Sequence, residues 1–261
     1  MTPSVIWEHC SLQVSALSRI REVFIKKGIL VGAALLGGLT ATYIGFIRPR
    51  QMRWGATTEE ATRTLPYDEL VPNPTWSSTR VVTVEATPEQ IWPWLAQVGW
   101  GRAGWYGYDL VDNGGKASAW EIMPEHQHLE IGTKFPMSPF TAMYCRDFEE
   151  PRWMLLRMGN DKVTSDIGSF LYYLDPIDQQ HTRLIIRMRD KYRWLNPPIL
   201  AMQLAVDVGD IFFQWKHLLG VKARAERMAK RQATPPPLRE KIARNDPVAQ
   251  GVRSAREGKS D

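Results

Sequence analysis

The sequence feature that most constrains the fold is a run of twenty residues without any charge, from Gly28 to Ile47. Basic residues bracket the run, with Lys27 immediately before it and Arg48 immediately after it. At about 1.5 Å of rise per residue, a helix of this length spans roughly 30 Å, the thickness of the hydrocarbon core of a bilayer. The run predicts one transmembrane anchor helix over residues 26–48.

Other interpretations of the run fit less well. A cleaved signal peptide has an apolar stretch of only about 7–15 residues, and a buried core helix usually shows a polar stripe that this run lacks. Gly28 and Gly32, like Ala34 and Gly38, are small residues four apart, a spacing that would allow a homodimer through two such helices. Basic residues are balanced on the two sides, and only the excess of Lys and Arg in residues 222–261 favours a cytoplasmic domain.

Composition excludes several classes of function. The net charge of +5 is concentrated beside the run and in the tail, and no nucleic-acid-binding motif is present, so no nucleic-acid partner is predicted. Cys10 and Cys145 lie on opposite sides of the run and suggest neither a disulfide framework nor a metal site. His126 and His128 lack the third ligand that catalytic zinc requires. We therefore predict no metal and no cofactor.

Composition shifts and proline positions divide the chain into five parts. The folded part is long enough for one domain with its own core. The predicted parts are a polar leader over 1–25, the anchor over 26–48, a proline-rich connector over 49–78, the domain over 79–229 and a basic, disordered tail over 230–261.

Within the domain, alternating apolar residues predict several strands separated by short turns. Leu184 and Ile186 share one face of the clearest strand, and Arg183 and Arg187 share the other. Short connections between consecutive strands are typical of an antiparallel meander. The predicted strands are 79–86, 133–135, 140–148, 152–158, 167–174 and 182–189.

A long helix is predicted from Pro197 to about residue 228. Its polar residues recur at intervals of 4, 3, 4 and 3 and form one stripe, which we expect to face water: Gln203, Asp207, Asp210, Gln214 and His217. The two aspartates are accordingly interpreted as solvated surface. The remaining residues are largely apolar, so the helix is expected to lie across the sheet and to leave an apolar cavity beneath it.

The stretch from residue 78 to 99, with Thr87-Pro88-Glu89-Gln90-Ile91-Trp92 at its centre, resembles the opening of a START-like domain of the SRPBCC superfamily. Residues 102–109 and 53–57 resemble a bacterial subgroup whose members tend to carry an N-terminal membrane segment. The resemblance covers residues 53–225. It implies an α+β helix-grip fold, in which a curved antiparallel sheet wraps around a long C-terminal helix, but this superfamily of carriers, receptors, cyclases and oxygenase subunits implies no single reaction.

The densest polar and aromatic cluster follows the first helix of the domain. Either it lines the cavity mouth, with Arg102 or Tyr106 orienting a polar head group, or Arg102 pairs with Asp109 or Asp112 in a structural role. Residues 99–104 match the dinucleotide fingerprint G-x-G-x-x-G, but they follow a helix rather than a strand, which favours a helix-ending loop. The predicted ligand-binding residues are Arg102, Trp105, Tyr106, Tyr108, Tyr144, Arg157, Met202 and Phe213.

Three functions compete. The first is a membrane-anchored domain that binds a hydrophobic small molecule or a lipid. The second is a cyclase- or dehydratase-like enzyme that acts on an aromatic or polyketide-like substrate, with Arg157, Tyr144, Asp147 and Tyr106 as acid–base groups. The third is a membrane-tethered interaction scaffold. Eight of the eleven tryptophans lie between residues 54 and 153, which is equally typical of a core and of cavity walls. We favour the first function, without catalysis.

Overall fold

The computed structural model describes residues 26–158, 168–191 and 197–234, and within the last range the side chains of 197–206 and 208 are not described. The predicted leader, most of the predicted tail and the side chain of Met202 lie outside the described residues. The chain divides into two compact units, Met1–Met52 and Arg53–Asp261.

The first unit contains helix α1, Lys26–Met52, which is long and apolar enough to cross a bilayer. Most of its apolar side chains are exposed, although Met52 is buried, and the helix includes a π-helical segment at Tyr43–Ile47. The hydroxyl groups of Thr40 and Thr42 donate to the carbonyl oxygens of Leu36 and Gly38, each over 2.8 Å. These bonds satisfy the two threonine hydroxyl groups within the helix.

The second unit is built on one sheet of six strands. Neighbouring strands are antiparallel, and the order β1-β6-β5-β4-β3-β2 brings the first strand beside the last. The predicted antiparallel meander is confirmed, although the first strand starts three residues before residue 79 because Trp76 pairs with Asp190. The strands are β1 Trp76–Val84, β2 Lys134–Pro136, β3 Ala142–Glu149, β4 Trp153–Met158, β5 Gly168–Pro176 and β6 Thr182–Asp190.

Helices of the second unit begin with local sequence signals. Thr57 with Glu60, and Thr87 with Gln90, form capping boxes that satisfy the first backbone N–H groups of two helices. The sequence Thr87-Pro88-Glu89-Gln90 has the residue pattern of such a box, and Pro93 is tolerated inside the helix it opens. The helices are α2 Thr58–Thr62, α3 Pro88–Ala96, α4 Asp109–Asp112 and α5 Pro197–Ala233, with 3₁₀ turns at Asp68–Leu70 and Pro124–His126.

The inner face of the sheet carries the main hydrophobic core. Helices α3 and α5 both pack there, and the core includes Ile91, Leu156 and Leu218, which are fully buried. The predicted α+β helix-grip fold, a curved antiparallel sheet with a long C-terminal helix, is confirmed.

The outer face of the sheet is covered by residues 53–75, most of the predicted connector. Leu65 packs there with Leu155, Leu171 and other apolar residues of the strands. Arg187 is only 3% exposed, and its guanidinium donates to Asp68 Oδ2 over 2.6 Å and to the carbonyl oxygen of Glu60 over 2.6 Å. The arginine face of β6 is therefore paired within the protein.

Candidate functional site

A cavity of about 550 Å³ lies between the inner face of the sheet, helix α5 and the loops around α4. Its wall is mostly apolar, and α5 supplies most of its polar groups. The lining residues are Trp105, Val111, Asp112, Met137, Met143, Phe170, Gly209, Asp210, Phe213, Gln214 and His217.

The predicted orientation of the long helix is wrong. Asp207 and His217, expected to face water, are each only 4% exposed, whereas the apolar residues Phe212 and Trp215 are 54% and 38% exposed. The described residues of the polar stripe, from Asp207 to His217, face the sheet because the strands supply hydrogen-bond and ionic partners for them. Burial of paired polar groups is tolerated where burial of unpaired ones is costly.

Strand β1 provides the first two partners of the stripe. The indole Nε1 of Trp76 donates to Asp207, and the guanidinium of Arg80 pairs with the carboxylate of Asp210. Arg80 is fully buried, and the carboxylate of Asp210 places an opposite charge beside it. Burial raises the pKa of Asp210, and the neighbouring guanidinium opposes that rise.

His217 is fixed through both of its ring nitrogens. Nδ1 lies 2.6 Å from the carbonyl oxygen of Trp105, and Nε2 lies 2.7 Å from the hydroxyl oxygen of Tyr172. A carbonyl can only accept, so Nδ1 carries the proton and Nε2 accepts from the tyrosine. Burial lowers the pKa of His217 to about 4 and raises that of Tyr172 well above its usual value. Both groups are neutral at pH 7, and neither imidazole nitrogen is free to act as a base.

Two acceptors at the cavity wall have no donor. Asp112 Oδ2 accepts from the backbone N–H of Tyr108 over 2.7 Å, but Oδ1 is buried and has no hydrogen-bond partner within the described ranges. Gln214 Oε1 is also buried and has no hydrogen-bond partner among the described residues. Burial raises the pKa of Asp112, and the nearby charge of Asp109 adds to that rise.

Four of the predicted site residues lie at or near this cavity. Trp105 and Phe213 line it. The ring of Tyr108 meets Phe213 edge-on, with 6.0 Å between the ring centroids. Tyr106 stacks against His217 behind the wall, and its hydroxyl donates to the carbonyl oxygen of Trp94 over 3.0 Å. Their role as ligand contacts stays a prediction.

Arg102 pairs with neither of the predicted carboxylates and is absent from the described lining of the cavity. Its guanidinium donates to the carbonyl oxygen of Ala96 over 2.9 Å and to that of Lys134 over 3.0 Å, and lies 4.7 Å from the ring centroid of Phe135. It therefore ties the end of α3 to β2. The expected ion pair is wrong because carbonyl groups at a helix end are closer acceptors.

The predicted acid–base set does not come together. Met154 and Leu156 belong to the inner core and Leu155 to the outer cluster, so alternation places Arg157 on the outer face. Tyr144 pairs in register with Arg157. Asp147 also lies on the outer face, where it accepts from the hydroxyl of Tyr67. The sheet therefore separates Arg157, Tyr144 and Asp147 from Tyr106.

The glycine motif forms the predicted helix-ending loop. Gly99 and Gly104 exchange backbone hydrogen bonds of 3.1 and 3.2 Å across a tight loop that ends α3, and both have positive φ angles. His128 lies at the surface beside Glu130. Within the described residues, no group of three His, Cys, Asp or Glu side chains could hold a metal ion.

Sequence reasoning missed the polar part of the cavity wall, which Asp112, Asp210, Gln214 and His217 form. The available signal was the 4, 3, 4, 3 spacing on α5, which identifies one face but not the direction of that face.

No protein-family profile and no curated protein matches the chain. Solved structures with a similar backbone include the Zhui aromatase/cyclase from Streptomyces sp. R1128, with 16% identity and a TM-score of 0.38 over 61% of this chain and 99% of that chain. A Polyketide_cyc-like protein from Corynebacterium glutamicum has 12% identity and a TM-score of 0.35 over 61% and 96%. A conserved protein of unknown function from Enterococcus faecalis has 18% identity and a TM-score of 0.32 over 64% and 79%.

Proposed function

We propose that this chain is a membrane-anchored START-like domain that binds a hydrophobic small molecule or a lipid between the sheet and α5. The observation that carries the proposal is the cavity of about 550 Å³. Ligand pockets in proteins measure roughly 300–1,000 Å³ and are mostly apolar with a few polar groups. The cavity has that size and that lining.

The rim of the cavity supports an apolar ligand that comes from a membrane. Val111, Met137 and Phe213 line the cavity and are also exposed to solvent. Beside them in the chain, Leu110 is 82% exposed and Phe140 is 94% exposed. Exposed apolar side chains in such a group mark contact with a membrane or another apolar partner.

Helix α1 would hold the domain at the bilayer from which such a ligand is taken. A tether raises the local concentration of the domain at its lipid source without any fixed arrangement of the two units. A cytoplasmic orientation and a homodimer through the small residues of α1 are part of the proposal.

Catalysis is not part of the proposal. The acid–base set expected from the sequence is divided by the sheet, and both nitrogens of His217 are engaged. Proton transfer to a ligand requires a group within hydrogen-bonding reach that is free to exchange a proton.

The test is to fill the cavity from α5. Gly209 lines the cavity, and a Cβ atom added there meets no described atom within 4 Å, so a larger side chain can be introduced at this point. Full-length wild type, Gly209→Phe and Gly209→Ala are purified in the same detergent, and the bound small molecules are measured by mass spectrometry. We expect Gly209→Phe to carry at least about tenfold less of a specific molecule than wild type, and Gly209→Ala to retain it.

Bulk lipid around α1 is common to the three proteins and therefore cancels in this comparison. Equal amounts of the same molecules in wild type and Gly209→Phe would show that the cavity does not hold the ligand.

A further inference from the structure

The described lining of the cavity has an excess of hydrogen-bond acceptors and contains neither lysine nor arginine. Most N–H donors of the lining are already engaged in hydrogen bonds within the protein. Trp105 Nε1 donates to the carbonyl oxygen of Pro136 over 2.9 Å, and His217 Nδ1 donates to the carbonyl oxygen of Trp105. The acceptor groups that remain belong to two carboxylates and one amide.

The two carboxylates of the lining, Asp112 and Asp210, differ in whether a basic side chain lies beside them. Asp210 faces the guanidinium of Arg80. Asp112 receives only backbone N–H groups, those of Tyr108 and of Asp112 itself. It has no basic side chain within ion-pair distance among the described residues, and it lies near a second carboxylate, Asp109. The uncompensated negative charge of the cavity is therefore that of Asp112.

Gln214 adds a neutral acceptor on the helix side. Its Oε1 is buried without a donor among the described residues. Its side-chain amide hydrogen-bonds to the carboxylate of Asp210, and the amide nitrogen also lies 3.5 Å from the sulfur of Met188, a weak acceptor. A buried acceptor without a donor destabilises the protein, and a donor supplied by a ligand would remove that cost after a small side-chain rotation.

From these contacts we infer that the ligand carries a hydrogen-bond donor, an amine or a hydroxyl group, on an apolar body, and that the site rejects carboxylates of the same shape. The inference rests on the proposed function and names the ligand class. An amine or hydroxyl satisfies the acceptors near Asp112 and Gln214. A carboxylate adds a second negative charge beside Asp112 in surroundings that screen charge poorly.

The experiment uses the full-length protein in phosphatidylcholine nanodiscs and three probes that share one aromatic body: naphthylethylamine, naphthylethanol and naphthylacetate. Affinities are measured by calorimetry at pH 7, and binding to empty nanodiscs is subtracted. We expect the amine to bind most tightly, the alcohol next, and the carboxylate at least about tenfold more weakly than the amine.

Asp112→Asn removes the charge and keeps the shape, so it should bring the amine and the carboxylate to within about threefold of each other. Glu130→Gln removes an exposed carboxylate away from the lining and should keep the wild-type ratio. Circular dichroism checks that both variants are folded. If Asp112→Asn does not fold, the order of the three probes on the wild type decides alone.

Naphthylacetate binding as tightly as naphthylethylamine, or an unchanged ratio in folded Asp112→Asn, would overturn the inference and leave the binding function intact. Absence of binding by all three probes would count against the proposed function as well.

Discussion

Both faces of the sheet carry buried apolar residues and an arginine paired with an aspartate, but the two faces are covered in different ways. On the outer face, residues 53–75 follow the strands and pair Arg183 with Glu60 and Arg187 with Asp68, at 2.7 and 2.6 Å. On the inner face, α5 pairs Asp210 with Arg80 and leaves a cavity beside them. An irregular segment can follow a twisted sheet, whereas a straight helix cannot and leaves space.

The largest expected effect on stability is on the outer face. Arg187→Ala removes a buried guanidinium and leaves Asp68 with only the longer ion pair to Arg189, at 3.6 Å, which should lower the free energy of unfolding by about 3–5 kcal/mol. Chemical denaturation of the detergent-solubilised protein measures the change. Arg152→Ala, which removes a surface pair with Glu149, should cost less than about 1 kcal/mol.

Arg80→Ala sharpens this comparison because it breaks the matching pair on the inner face. It should destabilise the protein to a similar degree and also change ligand affinity, since Asp210 lines the cavity. Arg187→Ala should leave affinity unchanged while the protein is folded. Equal effects of the two variants on affinity would contradict the separation of roles between the faces.

The second effect is a pH dependence that arises on the inner face, where His217 is buried. Burial lowers the pKa of His217 from 6.5 to about 4, so between these values the unfolded chain binds a proton that the folded protein does not. The contribution of the buried, neutral His217 to the free energy of unfolding is fully present above about pH 6.5 and is lost as the pH falls towards 4. The total change is on the order of 3 kcal/mol.

Unfolding measured at several pH values checks this. His217→Asn should flatten the slope between pH 6.5 and 4, and His128→Asn, which changes an exposed histidine, should not. The same slope in wild type and His217→Asn would mean that the imidazole does not titrate as its burial implies.

The third effect contrasts two glycines of α5. A Cβ at Gly220 would lie 2.1 Å from the carbonyl oxygen of Tyr106, so Gly220→Ala should destabilise the protein by about 1–3 kcal/mol. Gly209 has open space around it, and Gly209→Ala should stabilise the helix by about 0.5–1 kcal/mol. Thermal unfolding of both variants measures these opposite changes in stability. A destabilised Gly209→Ala would show that this part of the helix is packed.

The smallest effect on stability is expected at the rim. Leu110→Ser and Phe140→Ser change exposed side chains and should alter the free energy of unfolding by less than about 0.5 kcal/mol. They should nevertheless slow the transfer of a fluorescent lipid analogue from vesicles to the protein. Ile177→Ser, an exposed apolar residue in the turn between β5 and β6, is the matched control and should leave transfer unchanged.

Local patterns predicted much of the fold. The last strand was expected over 182–189 and spans Thr182–Asp190, because alternation and flanking turn residues act over a few positions. The capping box of α3 was equally local. The coverage of the outer face was not predicted, because residues 53–75 show no periodicity and their contacts lie far along the chain, as between Glu60 and Arg183.

The sequence by itself determined which residues of α5 share a face, since helical geometry fixes the positions of side chains three and four apart. Tertiary structure alone decided that this face points inward. Asp207 and Asp210 meet Trp76 and Arg80, which lie 131 and 130 residues away in the chain, and His217 meets Tyr172. A polar stripe faces a sheet when distant strands supply hydrogen-bond or ionic partners for it, and it faces water when they do not. The periodicity of the helix sequence cannot predict those distant partners.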